Sequence, residues 1–218
     1  MPTQIAIALY PDLTLLDVIG PYQVLTLVPD VEVVVCAAER GRLSDDNGLV
    51  HLDVEHTFDD VPSPDVLLVG GGFGTRALMR PGTPIVEWIR AADATTTWTT
   101  SVCTGSLLLG AAGLLEGRRA TTHWHYAELL EGFGATYAED RIVADGKYLT
   151  GAGVSAGIDL ALTLTATLAG DDIARAVQLG IEYDPQPPFD AGSPAKAGPE
   201  LVELVGAVSD MAEAQRTA

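Results

Sequence analysis

The 218-residue chain is 47% hydrophobic and 19% charged, which supplies one α/β domain with a sizeable core and argues against general disorder. Its 12 Lys and Arg against 30 Asp and Glu give a net charge of −18, so phosphate backbones and anionic lipid are repelled and neither nucleic acid nor a membrane surface is expected as a partner. Two cysteines, Cys36 and Cys103, the lack of a basic leader before an apolar core, and the lack of an apolar run near the ~18 residues of a membrane span predict a cytoplasmic protein with reduced thiols.

Residues 4–9, Gln-Ile-Ala-Ile-Ala-Leu, read as a buried strand that ends at the turn Tyr10-Pro11-Asp12. A helix is predicted from about Gly20 to Val28, because Pro21 is tolerated only in a first turn. That places Asp17 at the mouth of the strand-loop-helix unit among Leu15, Leu16, Val18 and Ile19. A carboxylate in such company is either a helix cap or a group whose pKa is raised for proton transfer. Residues 31–38 form a second apolar strand in which Cys36 packs. The turn Asp45-Asp46-Asn47-Gly48 predicts a small hairpin or edge ribbon, with His51 and His56 on the surface.

The third core strand, residues 65–70, runs into Gly70-Gly71-Gly72-Phe73-Gly74-Thr75. Glycines there let backbone approach a ligand, and the spacing matches neither a Walker loop nor a complete dinucleotide fingerprint. An oxyanion-type donor loop is the expectation. Residues 84–92 read as an amphipathic helix with a proline at its start. A strand over 95–100 then meets Ser101-Val102-Cys103-Thr104-Gly105-Ser106 and an apolar helical run ending near residues 112–113. This is the outline of a nucleophile elbow, where unpaired N–H groups and the helix dipole favour thiolate over thiol. A buried packing cysteine is the alternative reading of Cys103.

Thr122 or His123 is placed near the cap of a helix running to Leu130, and His123 or His125 could deprotonate Cys103, though the spacing does not require it. A hairpin around Asp145-Gly146 and two helices, residues 154–169 and 171–180, follow. Residues 184–199 carry five prolines and read as a surface arm before a helix over 200–215. No His and Cys spacing suggests a metal site. Strands and helices alternate along the first half, the pattern of a doubly wound, mostly parallel sheet flanked by helices, with 1–218 as a single domain. Asp17, Gly71, Gly72 and Cys103 all follow strands at the ligand-binding edge.

The strand and glycine loop at residues 67–74, the elbow at 101–105 and Gly151-Ala152-Gly153-Val154-Ser155-Ala156-Gly157-Ile158-Asp159 resemble the ThiJ/PfpI superfamily, related to class I glutamine amidotransferases, over nearly the whole chain. Within it, Leu16-Asp17-Val18-Ile19-Gly20-Pro21, Cys103-Thr104-Gly105 and residues 182–194 are most similar to the isonitrile (isocyanide) hydratases, which add water to R–N≡C to give an N-substituted formamide. The resemblance implies a flavodoxin-like fold, Cys103 as nucleophile, Asp17 as proton donor and acceptor, Thr104 orienting the thiolate, and Gly71 and Gly72 lining the substrate pocket. It also implies no metal or organic cofactor, a small-molecule substrate and a homodimer. Thr104 stands where hydrolytic relatives carry His, which turns the expectation away from peptide or glutamine hydrolysis, and Asp17 replaces the Glu of other relatives. A ligand-binding or redox-sensing regulator with a reactive Cys103 is the competing expectation. DNA binding is not expected, because no helix-turn-helix extension or basic surface is read.

Overall fold

The computed structural model describes residues 1–217 and divides them into two compact units, the first ending at Ile181 and the second beginning at Glu182. In the first unit, the apolar or Thr-rich runs at residues 5–8, 66–69 and 99–102 become strands that are buried on both faces of a sheet, where β-branched residues pack well. In chain order these are β1 (Thr3–Ala8), α1 (Leu15–Leu25), β2 (Val31–Ala37), the hairpin strands β3 (Gly41–Ser44) and β4 (His51–Val54), the short edge strand β5 (His56–Thr57), β6 (Val66–Val69), α2 (Thr75–Leu78), α3 (Pro84–Asp93), β7 (Trp98–Val102) and α4 (Gly105–Ala111). They continue with β8 (Arg119–Ala120), α5 (Ala127–Glu131), β9 (Thr136–Tyr137), β10 (Ile142–Asp145), β11 (Tyr148–Gly151), α6 (Ala156–Ala169) and α7 (Asp171–Gly180).

The central sheet has the order β10-β11-β7-β6-β1-β2-β5, parallel throughout except for the β10–β11 hairpin. The winding starts at β1 and moves outward in both directions, so the crevice between β1 and β6 is where connections part to opposite sides, the place where such sheets bind ligands. Helices α1, α6 and α7 pack on one another in one layer, and α3, α4 and α5 in another. The fully buried β6 segment Val66, Leu67, Leu68 and Val69 lies at the centre of the core.

Several element boundaries differ from the sequence expectation. The first helix starts at Leu15, and Pro21 lies inside it, its ring packed so that a Cβ on Gly157 of α6 would stand 3.1 Å from Pro21 Cγ. Close α1–α6 packing therefore offsets the helix hydrogen bond that the proline lacks. The helix expected before Leu130 is a 3₁₀ turn, Trp124–Tyr126, followed by the short α5. The ribbon around residues 45–48 forms as expected, as the separate β3–β4 pair, and β8 pairs with β9 in a second small ribbon.

In the second unit, residues 182–193 carry no helix or strand, consistent with the ring-locked φ of their prolines. Within the predicted arm, Pro194–Ala197 forms a single helical turn, α8, and α9 runs over Pro199–Thr217. Among the described residues no helix is long and apolar enough to cross a membrane.

Candidate active site

At the end of β7 the chain must turn from a central strand into α4 within three residues. Cys103 takes that turn with φ at +56°, a left-handed conformation that costs a non-glycine residue roughly 1–2 kcal/mol. Several bonds hold it there: Cys103 N–H is shared between the carbonyls of Gly151 (3.1 Å) and Ala152 (2.9 Å), and the hydroxyls of Thr122 and Ser106 both donate to Cys103 C=O at 3.1 Å. Gly105 then lets α4 begin against β6, since a Cβ there would lie 2.1 Å from the Val69 carbonyl oxygen. The strained nucleophile elbow read from the sequence is present in this form.

Asp17 arrives from the other side. It is the third residue of α1, fully buried, and its carboxylate does not cap its own helix. Asp17 Oδ2 instead accepts the Gly71 N–H at 2.7 Å, across from the loop after β6. Asp17 Oδ1 is buried and has no hydrogen-bond partner among the described residues. The Asp17 carboxyl and the Cys103 thiol are near enough for each to set the other's protonation.

Burial raises the Asp17 carboxyl from its ordinary 3.8 to about 7, against the opposing pull of the Gly71 N–H and of Cys103. Burial also pushes the Cys103 thiol up, reinforced by the Asp17 carboxylate and opposed by the N–H groups of Thr104 and Val154 that face the sulfur. The acidified thiol expected at a helix start is therefore corrected: desolvation of Cys103, a residue only 5% exposed, outweighs the two N–H donors. The two groups are coupled, each shifting the titration of the other, so neither titrates independently.

The glycine loop also behaves differently from the expected donor loop. Gly71 N–H is taken by Asp17 and Gly72 N–H by Thr104 Oγ1 at 3.0 Å. The carbonyls of Gly70, Gly71 and Gly72 accept from Tyr10 O–H (2.7 Å), Thr14 N–H (2.9 Å) and Thr75 O–H (2.6 Å). These groups are spent on the protein itself, so Gly71 and Gly72 hold Asp17 and Thr104 in place and offer no N–H to a substrate. The lack of a side chain at Gly71 is required, because a Cβ would stand 2.5 Å from Thr104 N and Oγ1 and 2.9 Å from Asp17 Oδ2. Thr104 likewise turns its hydroxyl to Gly72 and Thr75, and it is its N–H that faces the sulfur.

His123 lies outside the pair. It packs against Gly153, where a Cβ would stand 2.8 Å from His123 Cδ2, and its Nδ1 accepts the His125 N–H at 3.4 Å. Burial, with His125 alongside, lowers it to about 4, so it is neutral at physiological pH. Cys36 is fully buried in β2, its thiol pushed up to about 12 by burial alone, as fits a packing residue. Three residues at the site were not singled out by sequence: Tyr10, Thr75 and Val154. Tyr10 looked like a turn boundary, Thr75 the end of a glycine run and Val154 the start of a helix, and only long-range contact brings them together. Among the described residues no group of three or more His, Cys, Asp or Glu is placed to hold a metal ion.

With this mostly parallel sheet and its cysteine elbow in place, residues 3–167 match the pattern of the DJ-1/PfpI family, and the chain belongs to that family. A ThiJ/PfpI family protein from Pseudomonas syringae superposes with a TM-score of 0.88 at 37% identity, over 98% of this chain and 90% of that one. Drosophila melanogaster DJ-1beta shares the fold, with a TM-score of 0.76 over 84% of this chain and 98% of that one at 20% identity. The isonitrile hydratase of Pseudomonas putida is 47% identical over 203 residues, 93% of this chain and 88% of that protein. The HTH-type transcriptional regulator CdhR of Pseudomonas aeruginosa is 32% identical over 148 residues, which is 66% of this chain and 42% of the regulator.

Proposed function

We propose that this protein hydrates isocyanides, R–N≡C, to N-substituted formamides at Cys103 and Asp17. The observation that carries the reading is the fully buried Asp17, one oxygen held by Gly71 N–H and its carboxyl electrostatically coupled to Cys103. Likeness to the Pseudomonas putida isonitrile hydratase over most of both chains supports it. The terminal carbon of an isocyanide must accept a nucleophile and a proton at the same atom, and a thiol beside a carboxyl supplies both.

In the first step the Cys103 proton passes to Asp17, the sulfur bonds to the isocyanide carbon, and Asp17 delivers the proton to that carbon, leaving a thioimidate, Cys103–S–CH=N–R, and an Asp17 carboxylate. The N–H groups of Thr104 and Val154 stabilise negative charge on sulfur before attack and as it leaves. In the second step Asp17 takes a proton from water as oxygen adds to carbon, and passes it to nitrogen. Loss of the hydroxyl proton to Asp17 then expels the thiolate and releases HC(=O)–NH–R. The pair ends with the proton it began with.

We read the chain as one functional domain, with residues 184–199 as a proline-rich arm and 200–215 as a terminal helix, working in the cytoplasm as a homodimer. The exposed Leu16, Ile19 and Tyr22 on α1 favour association, and light scattering of the purified protein should report twice the 22.8 kDa chain mass.

The activity is checked by incubating the protein with alkyl isocyanides and following formamide by mass spectrometry. Cys103→Ala is expected to remove turnover to the uncatalysed background; formation undiminished in that variant would sink the nucleophile assignment. The likeness to a transcriptional regulator over part of its length favours a second reading, a ligand-binding protein with a redox-sensitive Cys103. No turnover on any isocyanide, together with ready sulfinate formation under mild peroxide, would favour it.

A further inference from the structure

We infer that Tyr10 and Thr75 are positioning residues for the Cys103–Asp17 pair, acting through a closed ring of hydrogen bonds that fixes the glycine loop against the elbow. The inference rests on the reading of Cys103 and Asp17 as the reacting pair. The ring runs Gly72 N–H to Thr104 Oγ1 (3.0 Å), Thr104 O–H to Thr75 Oγ1 (3.0 Å), and Thr75 O–H back to the Gly72 carbonyl (2.6 Å). Each hydroxyl has one proton, and this direction satisfies every member. Tyr10 closes the flank, donating to the Gly70 carbonyl at 2.7 Å with its oxygen 3.2 Å from Thr75 Oγ1. Tyr10, Thr75 and Thr104 are all at most 5% exposed, so no solvent competes for these bonds.

Between the two clamped carbonyls of Gly70 and Gly72 lies the Gly71 N–H that holds Asp17 Oδ2. Across the ring lies Thr104, whose N–H faces the Cys103 sulfur. Tyr10 and Thr75 direct their hydrogen bonds to Gly70, Gly72 and Thr104 rather than to Cys103 or Asp17, yet their hydroxyls set the position of both N–H groups that face the pair. The other titratable group facing this cluster is Asp46, anchored by Thr14 Oγ1 at 2.8 Å and adding negative potential to both Asp17 and Tyr10. Asp46 is unchanged by substitution of either hydroxyl, so it shifts all variants alike.

The experiment measures, on the intact protein, the pH profile of Cys103 alkylation by iodoacetamide, read by peptide mass, together with kcat and KM for an alkyl isocyanide. In Thr75→Val the ring opens; the Gly71 and Thr104 N–H groups, which favour the ionised carboxylate and thiolate, are held less well, so alkylation moves to higher pH. Turnover is expected to fall roughly 10- to 100-fold in kcat, the scale on which small misplacements act, with KM changed far less. Thr75→Ser should restore both within about threefold, because it restores the hydroxyl. Tyr10→Phe, which removes one flank of the ring, should shift the profile in the same direction by less, and serves if Thr75→Val does not fold. A folded Thr75→Val or Tyr10→Phe with the parent's profile and kcat would overturn the inference, as would a Thr75→Ser no better than Thr75→Val. If the parent protein turns over no isocyanide, the activity reading fails while the alkylation profiles still decide the positioning role.

Discussion

A carboxyl with no exposed surface is tuned first by the water it lacks. Asp17 has its pKa raised to about 7 by burial, so in the folded state it holds a proton across a range where the unfolded chain has released it. Because the folded value is raised, the stability Asp17 contributes is fully present below the unfolded value near 3.8 and is lost as pH rises through about 7. Asp17→Asn removes this dependence. Its stability advantage over the parent should grow by about 2 to 3 kcal/mol between pH 5 and pH 8, measured by denaturant unfolding, while turnover is lost. A gap that stays flat with pH would mean that the carboxyl is not held in its raised state. The cost of keeping a buried acid is thus a property of the same side chain that the proposed chemistry needs.

At the scale of elements, the site depends on two glycines that let secondary structure approach more closely than any side chain permits. Gly105 sets the start of α4 against β6, where an added Cβ would meet backbone at 2.1 Å, an atom that cannot swing aside. Gly71 brings Asp17 and Thr104 to either side of one peptide. Gly105→Ala should therefore cost stability, roughly 2–4 kcal/mol, by forcing α4 off the sheet. Gly71→Ala should lose activity by about 100-fold or more, because it separates Thr104 from Asp17. Thermal melting and turnover measured on both variants check the division. Equal loss of both properties in Gly71→Ala and Gly105→Ala would show that the two glycines do not act separately.

For the whole molecule, a net charge of −18 acts against the compact state through self-repulsion. Raising ionic strength from 0.01 M to 1 M shortens the screening length from about 30 Å to about 3 Å, and the melting temperature should rise by a few degrees. An unchanged melting temperature in sodium chloride would mean that surface ion pairs, such as Arg141 with Asp159 and Arg119 with Asp140, already balance the charge locally. The same charge would leave a small neutral substrate such as the proposed isocyanide unaffected on its way to Cys103.

By itself the sequence determined the class of fold and singled out the two residues proposed to react. Apolar β-branched runs alternating with amphipathic stretches prescribe a parallel sheet, and a cysteine between a strand and a glycine prescribes an elbow, because both signals are local. The carboxyl stood out because Asp17 is surrounded by apolar neighbours in the chain. Tertiary structure alone decided what those residues became. Whether Asp17 caps a helix or meets a thiol depends on Gly71, fifty-four positions away, and whether Cys103 is acidified depends on burial outweighing two N–H groups. Pro21 inside α1 and the ring of Gly72, Thr75 and Thr104, with Tyr10 at its flank, were equally invisible, since each is satisfied by partners that only folding brings near. Local propensity reads along the chain; hydrogen-bond satisfaction and desolvation are settled across it.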